Sequence, residues 1–189
     1  MNKAIFLDRD GTINVEKHYL YKKEDFEFLP GVIDALKKLQ VSGFILIIVT
    51  NQSGIGRGYY TEKDFNILND WMLSELRNQG VLIADVYYCP HLPDADVAEY
   101  RRDCECRKPK SGMYQQAIRD YQIQISQSYA IGDKIRDCAI CEKTSCKGYL
   151  IGVNEKPEII EQVKEGKYER VRYAKDLAEA TNLILSSKK

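Results

Sequence analysis

The feature that most constrains this chain is a pair of acidic residues placed directly after a short apolar run. Residues 4–7 (Ala-Ile-Phe-Leu) are typical of a buried strand, and Asp8 and Asp10 follow in the sequence Asp-Arg-Asp-Gly-Thr. A glycine-containing turn at a strand end can bring both carboxylates to one small volume. Carboxylates grouped in this way hold a hard cation such as Mg²⁺ and leave an oxygen that can attack phosphorus. The opening turn therefore predicts phosphoryl transfer through an aspartate.

Strand-like and helix-like segments alternate along the chain, which is typical of a doubly wound parallel α/β sheet. Strands are predicted over residues 3–7, 44–49, 84–88, 128–131 and 148–153. Apolar periodicity predicts helices around residues 32–39, 65–76 and 113–121, and further helices just after Asp133, near Pro157 and over residues 175–185. Thr61 and Ser111 are the expected N-caps of the second and third helices. We expect one domain over residues 1–189, without a large cap domain.

Composition excludes several classes of partner. Lys and Arg together number 28, as do Asp and Glu, so the net charge of zero argues against a nucleic-acid-binding role. The longest apolar run, residues 44–49, is too short to span a bilayer, and Met1-Asn2-Lys3 does not resemble a signal peptide. Without an exposed apolar stripe, a monomer is the default expectation. These features predict a cytoplasmic protein that binds neither membranes nor nucleic acids.

Further polar residues fall at the carboxyl ends of predicted strands or just before a helix. Thr50 follows the second strand in Thr-Asn-Gln-Ser-Gly-Ile-Gly-Arg-Gly, and Asp133 follows the fourth in Gly-Asp-Lys-Ile-Arg-Asp. Lys108 lies upstream of the third helix. Asp137, one turn beyond Asp133, is placed to orient Lys108 or a metal-bound water. Because ligands of open α/β sheets bind beyond the carboxyl ends of strands, we expect these residues to share one site with the opening aspartates.

Each residue of this constellation suits one part of a phosphate-ester hydrolysis. Asp8 is the candidate nucleophile, because an aspartyl-phosphate intermediate divides the hydrolysis into two easier steps. Asp10 is placed to protonate the leaving alkoxide and then to deprotonate the hydrolytic water. Asp8, Asp133 and the backbone carbonyl of Asp10 are the expected Mg²⁺ ligands. Thr50 and Lys108 are expected to stabilise the oxygens of the transferred group.

A second cluster of chemistry-bearing residues lies in the polar segment around residues 89–108. Three thiols and an imidazole, spaced Cys-x-His and Cys-x-Cys, predict a closed and therefore structural zinc site. The predicted zinc ligands are Cys89, His91, Cys104 and Cys106. The alternative is a set of buried cysteines beside an incidental surface histidine. A zinc-pinned loop would position Lys108 and Arg107, and the planar guanidinium of Arg107 suits a second phosphate on the substrate, although an ordinary surface arginine is the alternative.

Taken together, the four motifs resemble those of the haloacid dehalogenase (HAD) superfamily, in which the first aspartate is the nucleophile. Combined with the Cys-Pro-His and Cys-Glu-Cys-Arg-Lys-Pro-Lys segments, they resemble the D-glycero-D-manno-heptose-1,7-bisphosphate 7-phosphatase family. That resemblance implies a HAD-like Rossmannoid fold and removal of the 7-phosphate of a heptose bisphosphate, in the synthesis of nucleotide-activated heptose for lipopolysaccharide or other surface glycans. It also implies that the residues after the first motif and after the strand-terminal threonine contact substrate, which here are Glu16, Lys17, His18, Tyr19, Thr50, Asn51, Gln52 and Ser53. Arg107 joins this predicted substrate-binding set, and Lys134 and Asp137 are the expected supporting residues.

Several alternatives remain open at the level of sequence. Histidinol-phosphate phosphatases share the motifs and a similar zinc loop, and polynucleotide 3′-phosphatases share the Thr-Asn-Gln-x-Gly-Ile-Gly-Arg-Gly segment. A catalytically inactive, zinc-ordered interaction module is a further hypothesis from a different class. The anomer of the 1-phosphate is not determined. Cys138, Cys141 and Cys146 are best interpreted as small apolar residues that pack a helix, with a second metal or a redox role as the alternative.

Overall fold

The structure, a computed structural model, describes residues 1–187. Within those residues a central sheet of six parallel strands has the order β3-β2-β1-β4-β5-β6. Its strands are β1 (Lys3–Leu7), β2 (Phe44–Asn51), β3 (Ile83–Cys89), β4 (Tyr129–Gly132), β5 (Lys147–Ile151) and β6 (Val171–Ala174). The helices are α1 (Val32–Val41), α2 (Ser53–Gly56), α3 (Glu62–Asn78), α4 (Gly112–Asp120), α5 (Ile140–Lys143), α6 (Pro157–Lys164) and α7 (Leu177–Ser186). The predicted doubly wound α/β fold is confirmed.

Two apolar cores cover the two faces of the sheet. Alternate residues of a strand point to opposite faces, so Ile5 and Leu7 of β1 join one core while Ala4 and Phe6 join the other. Helices α1 and α7 cover the first face, and α4 and α6 cover the second. Because both faces are covered, the central strands are continuous runs of buried apolar residues rather than alternating ones.

The local predictions succeed where side-chain chemistry is specific. Thr61 caps α3 in a reciprocal capping box with Asp64, as its sequence predicts. Ser111 is the N-cap residue of α4, as predicted, but its hydroxyl makes no capping hydrogen bond. The helix expected after Asp133 is a 3₁₀ turn over Ile135–Cys138 followed by the short α5. Strand β6 was not predicted, because its four residues Val-Arg-Tyr-Ala lack a long apolar run.

The order of the strands fixes the place of a binding site. The chain leaves β1 towards β2 on one side, whereas β4 pairs with β1 on the other side. A crevice opens at the carboxyl ends of strands where the order reverses in this way. Asp8 directly follows β1 and Asp133 directly follows β4, so the two residues meet at this crevice. Within residues 1–187 no helix combines the length and hydropathy needed to cross a bilayer.

Candidate active site

The centre of the crevice is a buried lysine held between two aspartates. The Nζ atom of Lys108 lies 2.8 Å from a carboxylate oxygen of Asp8 and 2.7 Å from one of Asp137. The same ammonium donates to the backbone carbonyl of Val49, at 2.6 Å. Its side chain is 1% exposed, and the two carboxylates hold its pKa above the ordinary value despite the opposing effect of burial. Lys108 therefore stays charged beside the candidate nucleophile.

A third carboxylate, Asp133, completes an acidic cluster. One oxygen each from Asp8, Asp133 and Asp137 can be chosen so that all lie within 4.8 Å of one another. Burial raises the pKa of Asp133 to about 7, and the charges of Asp8 and Asp137 add to this effect. Burial likewise raises the pKa of Asp8 to about 6, although Lys108 opposes the shift. Three buried carboxylates facing one ammonium leave an excess of negative charge.

That excess and the donor chemistry fit a divalent cation such as Mg²⁺. Carboxylate oxygens are the ligands that hard cations prefer, and a bound cation would lower the pKa values that burial raises. The absence of a side chain at Gly11 lets the Asp133 carboxylate lie close to the opening turn, because a Cβ atom on Gly11 would lie 2.3 Å from Asp133 Oδ2. Asn154 donates to the same oxygen at 3.1 Å and so fixes the orientation of this carboxylate.

Asp10, the candidate acid and base, is held by neighbouring side chains. Arg9 donates through Nε and Nη2, at 2.9 to 3.1 Å, to both carboxylate oxygens. Asn14 donates to Oδ1 at 3.0 Å and Gln52 donates to Oδ2 at 3.1 Å. The side chain of Arg9 is almost fully buried and that of Asp10 is 16% exposed, so the carboxylate is fixed in position yet open to the crevice.

The residues at the carboxyl end of β2 and just beyond it hold Lys108 and Asp10 in place. The amide of Asn51 makes two hydrogen bonds of 3.1 Å to the backbone of Lys108, one to its N–H and one to its carbonyl. Gln52 Nε2 donates to Thr50 at 2.9 Å as well as to Asp10, and its Oε1 accepts from Tyr60 at 2.6 Å. Asn51 therefore positions the lysine, and the buried Gln52 links Thr50 to the aspartate.

A polar cavity of about 260 Å³ covers these groups. Every residue predicted to bind substrate lines it except Lys17, which pairs with Glu27 at 3.4 Å, and Arg107. Asp137 lies beneath the cavity rather than in its wall. The sequence predictions that line it are Asp8, Asp10, Glu16, His18, Tyr19, Thr50, Asn51, Gln52, Ser53, Lys108, Asp133 and Lys134.

The four predicted zinc ligands converge at the end of β3. The sulfur atoms of Cys89, Cys104 and Cys106 lie 2.7 to 3.3 Å apart, and all three cysteines are free thiols. The Nδ1 atom of His91 lies 3.4 Å from the sulfur of Cys106 and 3.7 Å from that of Cys89. Burial raises the pKa of the Cys89 thiol, so the thiol holds its proton in the metal-free site and zinc binding would release that proton. Three sulfurs and one imidazole nitrogen fit a tetrahedral structural zinc site.

The loop that carries these ligands is packed closely against the rest of the site. Gly56 of α2 accepts a hydrogen bond from Val97 at 3.0 Å, and a Cβ atom on Gly56 would lie 2.7 Å from the carbonyl of Pro90. Arg107 donates to the carbonyl of His91 at 3.2 Å. Burial lowers the pKa of Arg107, and the nearby guanidinium of Arg136 adds to the shift. The cysteine and histidine cluster therefore adjoins the segment that leads to Lys108, and Arg107, the residue before Lys108, is held by the backbone of His91.

Some residues of the site were not predicted from the sequence. Arg9 and Tyr60 act on Asp10 and Gln52 through contacts described above, and Asn154 reaches Asp133 from the loop after β5. Leu20, Gly54 and Arg136 also line the cavity. Arg136 lies inside the Gly-Asp-x-x-x-Asp motif and could have been found there. Asn154 carries no local signal, because its role depends on a pairing between distant strands.

The chain is similar to known phosphatases over most of its length. Residues 3–146 match the family described as polynucleotide kinase 3 phosphatase. A D-glycero-beta-D-manno-heptose-1,7-bisphosphate 7-phosphatase of Haemophilus ducreyi is 49% identical over 146 residues, which are 77% of this chain and 80% of that protein. A D-glycero-alpha-D-manno-heptose-1,7-bisphosphate 7-phosphatase of Photorhabdus laumondii is 50% identical over 135 residues, 71% of this chain and 74% of that one.

A solved structure extends the similarity to the fold. The crystal structure of D,D-heptose 1,7-bisphosphate phosphatase from B. bronchiseptica, complexed with magnesium and phosphate, superposes with a TM-score of 0.82 at 31% identity. The match covers 98% of this chain and 99% of that one.

Proposed function

Because this chain belongs to the D-glycero-D-manno-heptose-1,7-bisphosphate 7-phosphatase family of HAD phosphatases, we propose that it removes the 7-phosphate of such a bisphosphate. The chain is a phosphomonoester hydrolase of the HAD type. The observation that carries the specific proposal is the buried ion-pair network of Asp8, Lys108 and Asp137 beside Asp133, all under a polar cavity. The product retains its 1-phosphate, as nucleotide activation of the sugar requires.

In the first step an oxygen of Asp8 attacks phosphorus and forms the aspartyl phosphate. The bond between phosphorus and the oxygen on C7 breaks, and Asp10 gives its proton to the leaving alkoxide. Asp10 can do this from a fixed position, because Arg9, Asn14 and Gln52 hold its carboxylate at the crevice. A rigidly placed acid removes the cost of orienting it in the transition state.

In the second step a water molecule attacks the phosphorus of the aspartyl phosphate. Asp10 takes a proton from this water, the bond between phosphorus and Asp8 breaks, and inorganic phosphate is released. The ammonium of Lys108 and the hydroxyl of Thr50 lie where they can stabilise the phosphoryl oxygens in both steps. One phosphate oxygen would take the place of a carboxylate partner of Lys108.

Two metal ions belong to the proposal. Mg²⁺ would be held by Asp8, Asp133 and the backbone carbonyl of Asp10, where it neutralises charge on the transferred phosphate. Magnesium is bound in the similar B. bronchiseptica enzyme, which supports this part of the proposal. Zinc would be held by the cluster defined by Cys89, His91, Cys104 and Cys106, where its role is to order the loop that ends at Lys108.

The substrate is held, in this proposal, by the remaining polar residues of the cavity. Glu16, His18 and Tyr19 line the cavity and would face the sugar. Arg107 does not line the cavity itself, but it lies between the zinc cluster and Lys108 and would take the second phosphate. Relatives named for the alpha and for the beta anomer are almost equally similar to this chain, so the proposal covers both anomers. We further propose a monomeric, cytoplasmic enzyme that binds neither membranes nor nucleic acid, with one domain over residues 1–189, of which residues 188 and 189 lie outside the described part.

The experiment compares wild type with Asp8→Asn and Asp10→Asn on both heptose 1,7-bisphosphate anomers. With Mg²⁺ present, ³¹P NMR of the wild-type reaction should show loss of the 7-phosphate and retention of the 1-phosphate. After an acid quench with substrate labelled at the 7-phosphate, label should remain on Asp10→Asn protein and not on Asp8→Asn protein. Full turnover by Asp8→Asn would refute the nucleophile assignment.

Parallel assays separate the alternative substrates. Histidinol phosphate and a DNA 3′-phosphate are tested with the same preparation. A tenfold or greater preference for histidinol phosphate, or efficient release of phosphate from DNA, would replace the proposed substrate while retaining the aspartyl-phosphate chemistry. Absence of turnover on every phosphate ester tested would favour an interaction module.

A further inference from the structure

Arg136 is an exposed cation in the wall of the catalytic cavity. It lies in the 3₁₀ turn Ile135–Cys138 and lines the cavity beside Lys134. Among residues 1–187, no carboxylate forms an ion pair with Arg136, and its guanidinium makes no hydrogen bond to another residue. The carboxylate of Glu155, which packs on the same turn, accepts instead from the backbone N–H groups of Ile135 and Lys156, at 2.8 and 2.9 Å.

This lack of a partner is unusual for the site around it. Arg9 is paired with Asp10, and Lys108 with Asp8 and Asp137. The cations of the inner site are therefore matched by carboxylates of the protein, whereas Arg136 is available to an anion that enters from outside. Its guanidinium is also close enough to Arg107 to lower the pKa of that residue, so the two cations lie on one side of the site.

The backbone fixes the position of Arg136 relative to the reacting phosphate. Its neighbour Asp137 points inward to Lys108, and the carboxylate of Asp137 accepts from the N–H of Lys134 at 2.9 Å. Gly132 leaves room for this turn, because a Cβ atom there would lie 2.2 Å from Asp137 Cβ. The turn that anchors the catalytic lysine therefore also presents Arg136 to the cavity, at a fixed offset from Asp8.

We propose that Arg136 is a specificity-determining residue that binds the phosphate group of the substrate that is not transferred. It acts there with Lys134 and Arg107, and its planar guanidinium can donate two hydrogen bonds to that phosphate. This inference rests on the proposed function, since it needs a doubly phosphorylated substrate. An arginine that only solubilises the surface would affect neither the choice of substrate nor the binding of product.

The test uses the full chain with its metals and two arginine variants. Arg136→Gln removes the guanidinium from the cavity. Arg119→Gln is the matched control, because Arg119 is exposed in the last turn of α4 and does not line the cavity. Steady-state kinetics are measured on heptose 1,7-bisphosphate and on heptose 7-phosphate, which lacks the second phosphate. Product inhibition is measured with heptose 1-phosphate and, separately, with inorganic phosphate.

We expect Arg136→Gln to raise KM for the bisphosphate and Ki for heptose 1-phosphate by about ten- to a hundredfold, as for loss of a charge-assisted contact. KM for heptose 7-phosphate and Ki for inorganic phosphate should change far less, and Arg119→Gln should leave all four constants near wild type. Arg136→Lys should restore part of the affinity, because it keeps the charge and loses the fork.

Three results would overturn the inference. If Arg136→Gln leaves KM for the bisphosphate and Ki for heptose 1-phosphate unchanged, the Arg136 side chain does not contact the phosphate that is not transferred. An equal fall of kcat on both substrates would show that the substitution acts through Asp137 and Lys108 instead. If wild type does not prefer the bisphosphate over heptose 7-phosphate, the proposed function itself fails, and the wild-type measurements alone reveal this.

Discussion

Replacing Asp133 by asparagine should stabilise the metal-free protein at high pH while it weakens magnesium binding. Burial and two neighbouring carboxylates raise the pKa of Asp133 from 3.8 to about 7. A raised folded-state pKa contributes stability that is complete below 3.8 and is lost as the pH rises through about 7. At 1.36 kcal/mol per pH unit this difference amounts to at most about 4 kcal/mol. Asparagine is neutral at every pH and nearly isosteric, so it avoids the loss.

The assay is urea unfolding in magnesium-free buffer without a chelator, so that the cysteine cluster keeps any bound zinc. At pH 8 Asp133→Asn should unfold at higher urea than wild type, with a gain of up to about 4 kcal/mol, or roughly 8 to 16 °C in Tm. At pH 5 wild-type Asp133 is largely protonated, and the gain should fall below about 2 kcal/mol. Added Mg²⁺ should stabilise wild type more than the variant, because the variant binds the ion more weakly.

Asp70→Asn, an exposed substitution on α3, is the control and should change stability by less than about 0.5 kcal/mol at either pH. The reasoning is refuted if Asp133→Asn is no more stable than wild type at pH 8 without magnesium. It is refuted equally if the gain at pH 5 is as large as the gain at pH 8, because packing and not charge would then explain it.

Two further predictions concern the metal sites. Cys104→Ser should lose zinc, as measured by elemental analysis, and should lower phosphatase activity because the segment before Lys108 loosens. The control Cys146→Ala removes a buried thiol outside the cluster and should retain zinc. Equal zinc content in the two variants would contradict the zinc site. Gly11→Ala should displace Asp133 and so raise the Mg²⁺ concentration for half-maximal activity about tenfold or more. The control is Gly166→Ala, because Gly166 has a similar positive φ but no atom within 4 Å of an added Cβ, so the substitution should cost only about 1 kcal/mol of stability. Equal magnesium dependence in the two variants would argue against the close contact between Gly11 and Asp133.

The chemistry at the strand ends was accessible from the sequence because it is encoded locally. An apolar run followed by Asp8 and Asp10 predicts both a strand and the carboxylates at its end, and the same pattern identifies Thr50 and Asp133. The spacing of the cysteines and His91 likewise predicted the cluster found at the end of β3. Strand β6 was missed, since its short sequence carries no such pattern and is ordered by pairing with β5.

The sequence by itself therefore determined the fold class and most of the side chains that meet in the candidate site, because strand periodicity and turn chemistry are properties of neighbouring residues. Only the tertiary structure decided how those groups are held. Asn51 donates a hydrogen bond to the backbone of Lys108, which lies 57 residues away in the sequence, and Gln52 donates one to Asp10, which lies 42 residues away. Such contacts depend on which strands become adjacent in the sheet. The order of the strands is determined by burial of apolar residues over the whole core, and a short segment of sequence does not encode it.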